Sequence, residues 1–131
     1  MDQIVKDIIA LKRSHGFIED NPSEEKVRKW YSWVLENDHY VAEYEGRELV
    51  SYVEWIFMNE IPKTATGLED RIDWKVARCA PVLYIMNMIT TRPGRIRKMM
   101  GKMRDKIGMD WTYMVWHNEK KDKMTLITRG Q

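Results

Sequence analysis

The apolar residues of this 131-residue chain change their spacing after about Asn37, and that change restricts the fold more than any other feature. Up to about Asn37 they recur every three to four positions. Ile4, Val5, Ile8, Ile9 and Leu11 make a stripe between Asp2 and about His15, with Lys6, Asp7, Lys12 and Arg13 elsewhere. This predicts an amphipathic helix ended by Gly16. A second helix is expected from "NPSE", where Asn21 caps, Pro22 takes the first helical position and Glu24 completes a capping box. It carries Val27, Trp30, Tyr31 and Val34 on one side. From His39 to Met58 the period falls to two. Val50, Tyr52, Glu54 and Ile56 alternate with Leu49, Ser51, Val53 and Trp55, and "EGR" separates two such runs. That pattern is an antiparallel hairpin.

A connection from Asn59 to Pro81 follows, in which "GLEDRIDW" spaces Leu68 and Ile72 for a short helix. "PVLYIMNMITT" is a nearly continuous apolar run, as expected of a central strand covered on both faces. It gives way at "TTRPGR" to a basic segment. Ile96, Met99, Met100, Met103 and Ile107 form a helical stripe there, and Gly108 terminates it. "DWTYMVWHN" and "KMTLITRG" read as two last strands joined by "EKKDK". The order is α-α-β-β-(long loop)-β-α-β-β, in one domain spanning 1–131.

Charge is segregated along this order. Residues 1–88 hold 11 Lys/Arg against 16 Asp/Glu, and residues 89–131 hold 11 against 4. Arg92, Arg95, Arg97, Lys98, Lys102, Arg104 and Lys106 are answered within their own segment by Asp105 alone. Such segregation attracts anions even to a nearly neutral molecule. Cys79 is the one cysteine, which excludes an internal disulfide framework and a multi-cysteine zinc site. His15, His39 and His117 are scattered without metal-ligand spacing, and His39 and His117 are expected at the surface. No run approaches the roughly 18 apolar residues of a membrane span, and charges at Asp2, Lys6 and Asp7 do not suit a signal peptide. A cytoplasmic location is the expectation.

Taken with "TRPGRIRK", the element order resembles the GNAT superfamily of N-acetyltransferases. In that family the turn after the central strand and the start of the following helix hold the pyrophosphate of coenzyme A. Gly94 matches the glycine that lets phosphate approach the backbone. Thr91 and Ile96 depart from the motif, and Pro93 brings no N–H donor. The family's last helix is absent, a shortened form similar to small GNAT-like proteins of bacteriophages. The resemblance implies an α+β fold with a mostly antiparallel central sheet, two N-terminal helices and one central helix. It implies acetyl-CoA as cofactor, held by Arg92, Gly94, Arg95, Ile96, Arg97 and Lys98, with the pantetheine arm along Asn87, Met88 and Ile89, provided that strand splays from 111–117. The acceptor would be an amine on a small molecule or a protein, and the location the host cytoplasm.

Acetyl transfer needs a base and an acid. Glu54, among apolar neighbours in "SYVEWIF", is the candidate base, and Tyr84 and Tyr113 are candidate acids for the leaving thiolate. Two other readings stand beside this one. The first is a catalytically inactive relative that binds a host protein through its basic face and exposed aromatics, drawn from six tryptophans. The other is a nucleic-acid-binding module, against which the acidic first half weighs.

Overall fold

A computed structural model describes residues 2–16, 24–63, 72–108, 111–118 and 123–128. Among them the chain is α+β. The helices are α1 (Gln3–Ser14), α2 (Glu24–Glu36) and α3 (Arg95–Ile107); the strands are β1 (Tyr40–Glu45), β2 (Glu48–Met58), β3 (Val82–Thr90), β4 (Tyr113–Asn118) and β5 (Lys123–Thr128). One mostly antiparallel sheet runs in chain order, β1-β2-β3-β4-β5. β1–β2 and β4–β5 are antiparallel hairpin pairs, whereas β3 and β4 are parallel. Parallel neighbours need a crossover, and α3 supplies it. The expected cap at Asn21 and Pro22, most of "GLEDRIDW", and the β4–β5 connection lie outside the described residues.

The chain divides into two compact units, one of residues up to Glu54 with Asn87–Lys106, the other of Trp55–Met86 with Ile107 onward. In the first, Val5, Ile8 and Leu11 of α1 pack with Tyr31 of α2, Leu49 and Tyr52 of β2 and Ile89 of β3. Two placements differ from the periodic reading. Lys12 is not on the outer face of α1 but is 3% exposed; it follows Ile8 by four residues, one turn along the same stripe. Leu49 shares the face of Tyr52 although strict alternation separates them. The β1–β2 register passes from Glu43↔Ser51 to Tyr44↔Leu49, leaving Val50 without a partner on β1. This bulge shifts the alternation by one residue. The freed Val50 carbonyl accepts from the Thr91 amide at 2.8 Å.

Along β2, every residue from Leu49 to Phe57 is buried, so the strand is covered on both faces. β3 is covered less completely than its apolar run implies, since Met86, Asn87 and Met88 are half-exposed. Asn87 also breaks the extended backbone, with φ of 51°. His39 is buried rather than at the surface, with its ring edge-on to Trp33 at 4.9 Å. None of the six tryptophans is exposed; Trp55 is buried and the others are half-buried. On α3, Met99 and Met103 carry the buried stripe, while Ile96 in the first turn stays exposed.

In the second unit the β3–β4 ladder is held at its start by the Pro81 carbonyl, which accepts from the amides of Thr112 and Tyr113. From there Val82–Ile85 pair with Tyr113–Trp116, and the parallel ladder stops. The Phe57 amide donates to the Ala77 carbonyl, tying the end of β2 to the turn at 74–78.

Two glycines separate backbone from side-chain effects. Gly94 has φ of +79° and Gly101 lies inside α3, and a Cβ at either meets nothing within 4 Å. Gly94→Ala is therefore expected to cost about 1–2 kcal/mol through the left-handed backbone alone. Gly101→Ala should stabilise by about 0.5–1 kcal/mol. Denaturant unfolding of both variants checks this; equal effects of one sign would contradict it.

Candidate functional site

The strand-to-helix junction is anchored from below. Thr91 binds the Val50 carbonyl through its amide and, at 3.1 Å, through its hydroxyl. Thr90 Oγ1 donates to the Arg92 carbonyl at 3.0 Å and accepts from Ser51 at 3.2 Å. These bonds fix the backbone so that Pro93 and Gly94 turn outward, both exposed, and α3 starts at Arg95. The first amides of a helix have no carbonyl one turn back, and the dipole makes that end positive. No acidic residue occupies the first turn of α3.

The seven cations of this segment are not all available to a ligand. Arg92 donates from Nε to Glu45 at 3.1 Å and from Nη2 to Glu48 at 3.0 Å. Arg95 reaches Glu45 at 2.7 Å and Glu43 at 3.5 Å. Lys102 and Lys98 lie 3.1 and 3.7 Å from the same Glu43 oxygen. Lys106 bridges Asp38 and the Tyr40 carbonyl, both at 2.7 Å. Glu43, Glu45, Glu48 and Asp38 thus offset most of the charge that the sequence leaves unanswered. Hydrogen bonds from Arg95, then Arg92, hold Glu45 below the usual carboxylate range. Its folded value being depressed, the pairing contributes above the unfolded carboxylate range and is lost as pH falls through the lowered value. Arg97 and Arg104 are exposed and make no ion pair among the described residues.

A second constellation lies inside the first unit. The Glu54 side chain is fully buried. One of its oxygens accepts from Lys12 Nζ and Asn87 Nδ2, both at 2.6 Å; the other accepts from the Tyr52 hydroxyl at 2.6 Å. Lys12 Nζ also lies 4.9 Å from the centre of the Tyr31 ring and 5.4 Å from that of Tyr52, an arrangement that stabilises a desolvated cation. The Glu54 charge fixes which way the Asn87 amide points, since its oxygen would be repelled there. Among the described residues that amide oxygen is left buried without a hydrogen-bond partner, as is Oε1 of Glu43.

The junction brings Arg92, Gly94, Arg95, Ile96, Arg97 and Lys98 into one stretch, and Asn87 joins Glu54. Met88 is half-buried, and Ile89 is committed to the apolar core. Tyr84 and Tyr113 belong to the second unit, Tyr84 buried on β3 and Tyr113 half-buried opposite Val82. Lys12, Tyr52 and Tyr31 were not singled out by sequence, although a lysine one turn from Ile8 was a readable signal. Cys79 is exposed. Among the described residues no group of three or more His, Cys, Asp or Glu is placed to hold a metal, and no helix is long and apolar enough to cross a membrane. No protein-family model matches the chain, and no curated protein sequence does.

Breaking a buried pair leaves one charge uncompensated, so Glu54→Ala should cost about 3–5 kcal/mol in unfolding free energy. The double variant Lys12→Met with Glu54→Leu should recover much of it. A single-variant loss under about 1 kcal/mol, the size of an exposed pair, would contradict the network.

Tyr31 and Tyr52 are pushed above the ordinary value of 10.0, first by burial and then by the Glu54 charge. Their folded values exceed the unfolded one, so stability is intact below pH about 10 and falls as pH rises past it. Phenolate absorbance should accordingly rise in two stages, the second coinciding with unfolding. Titration of all six tyrosines while the far-UV signal stays native would contradict this.

Proposed function

We propose that the chain is a GNAT-like acyltransferase that takes acetyl-CoA and transfers its acetyl group to an amine. The observation that carries the reading is the start of α3. A left-handed Gly94, a first turn without a carboxylate, and the exposed Arg97, without an ion pair among the described residues, form a surface suited to phosphate. The order of helices and strands, with α3 crossing between parallel β3 and β4, agrees with that superfamily. In this reading the amides of Arg95 to Arg97 and the Arg97 guanidinium hold the phosphates, with Lys98 beside them. Arg92 and Arg95 contribute field and position, because Glu45 and Glu48 occupy their donors.

The reaction breaks the thioester C–S bond and forms an amide C–N bond; the proton lost by the amine balances the one taken by the thiolate. Both oxygens of Glu54 are engaged, so its part is to hold Asn87 in place rather than to meet the amine directly. A second reading, a catalytically inactive protein of this architecture that binds a host macromolecule, draws on the internal pairing of Arg92, Arg95, Lys98, Lys102 and Lys106. Charge spent on the hairpin is not charge recruited for a coenzyme.

Thermal unfolding with acetyl-CoA, coenzyme A and ATP separates the two. Coenzyme at about 100 times its dissociation constant should add roughly 2.7 kcal/mol, a rise of several degrees in Tm. Arg97→Ala should reduce that rise and Arg104→Ala should not. A Tm unmoved by either coenzyme would remove the acyltransferase reading in favour of the binding protein.

A further inference from the structure

The cations of α3 follow two lines along the helix. Arg95, Lys102 and Lys106, seven and then four residues apart, share one line and hold Glu43, Glu45 and Asp38. Arg97, Gly101 and Arg104, four and then three residues apart, share another. That second line faces away from the buried Met99 and Met103. Both of its arginines are exposed and make no ion pair among the described residues. Gly101 between them brings no side chain, and a Cβ built there meets nothing within 4 Å. Lys98 borders the line with its side chain 60% exposed, and Asp105 is the one carboxylate on the helix. The acids that the first half of the chain brings to α3 are engaged along the first line, so the outer line keeps its charge.

We propose that this outer line of α3 binds the phosphate backbone of duplex DNA. Arg97 and Arg104 stand about 10 Å apart along the helix axis, close to the roughly 12 Å width of the B-DNA major groove. With α3 laid across that groove, each arginine meets a phosphate on one rim, and Gly101 lets the helix approach between them. The major groove of duplex RNA is narrow and does not offer this span. Single strands are held by stacking on exposed aromatic rings, and none of the six tryptophans is exposed. A protein partner calls for an apolar centre poor in charge, where this line has arginine and glycine. Interfaces with DNA are polar and strongly positive. Contacts to phosphate position a protein without reading sequence, so the binding is sequence-independent. Arg97 also enters the coenzyme reading and Arg104 does not, so the two claims fail separately.

Fluorescence anisotropy of a short labelled DNA duplex with the full chain tests this. Affinity should fall about tenfold or more between about 50 and 200 mM salt, as expected when two or more phosphates are neutralised. Arg97→Ala and Arg104→Ala should each flatten the log–log salt slope by about one, and Arg104→Lys should keep it. Arg13→Ala removes the same charge from an exposed position of α1 and should leave the slope unchanged. That control separates a contact made by α3 from a change in net charge. No binding at low salt, a slope untouched by either alanine variant of α3, or tighter binding of duplex RNA, single-stranded DNA or polyglutamate than of the DNA duplex would overturn the proposal.

Discussion

A carboxylate with no exposure to solvent is the constraint on which the first unit is built. Burying an ion costs several kcal/mol unless a counter-charge and hydrogen bonds are supplied in good geometry. Glu54 receives them from α1, from its own strand and from β3. Hydrophobic packing by Val5, Ile8 and Leu11 would hold α1 against the sheet in several rotations. Only one of those brings Lys12 to Glu54. The pair therefore specifies the docking of α1 more than it adds to stability, and it holds Asn87 at an unusual point of β3. Positive φ at Asn87 suits this role: a short amide side chain tolerates that backbone and still reaches the carboxylate.

A second electrostatic layer joins α3 to the β1–β2 hairpin. Glu43 is nearly buried yet lies within 4 Å of three cations, and Glu45 and Glu48 hold Arg92. The basic segment is thus largely a structural fastening. What it leaves over is small and localised: Arg97 and Arg104 on the open side of α3, with Arg97 in the first turn. Fastening and binding are compatible, because the carboxylates that consume charge also stop the junction from moving. A phosphate site built from amides gains more from a fixed backbone than from additional mobile lysines.

Helices and hairpin were legible because each rests on a local period. α1, α2 and α3 follow apolar stripes, and β1 and β2 follow alternation interrupted by "EGR". Contacts beyond the local period explain the differences. Period alone puts Lys12 and Leu49 on other faces, whereas a distant partner and a bulge decide where they sit; His39, a polar residue at a strand entrance, is drawn in beside the Trp33 ring. The counter-ions of α3 were invisible for the same reason: Lys102 pairs with a residue 59 positions earlier and Lys106 with one 68 earlier. Of the candidate site, the junction at Gly94 was readable as strand, turn and helix. The Glu54 network was half readable, since a glutamate among apolar neighbours stands out in the sequence and a separation of 42 residues hides its pairing with Lys12.

The claim at the centre of this account is that a fixed backbone at the start of α3 binds the phosphates of a coenzyme. Backbone 1H–15N NMR during addition of coenzyme A tests it residue by residue. The account predicts that the amides of Gly94 to Arg97 shift first and most, with those of α1 little changed. Shifts confined to other elements, or none at all, would contradict it.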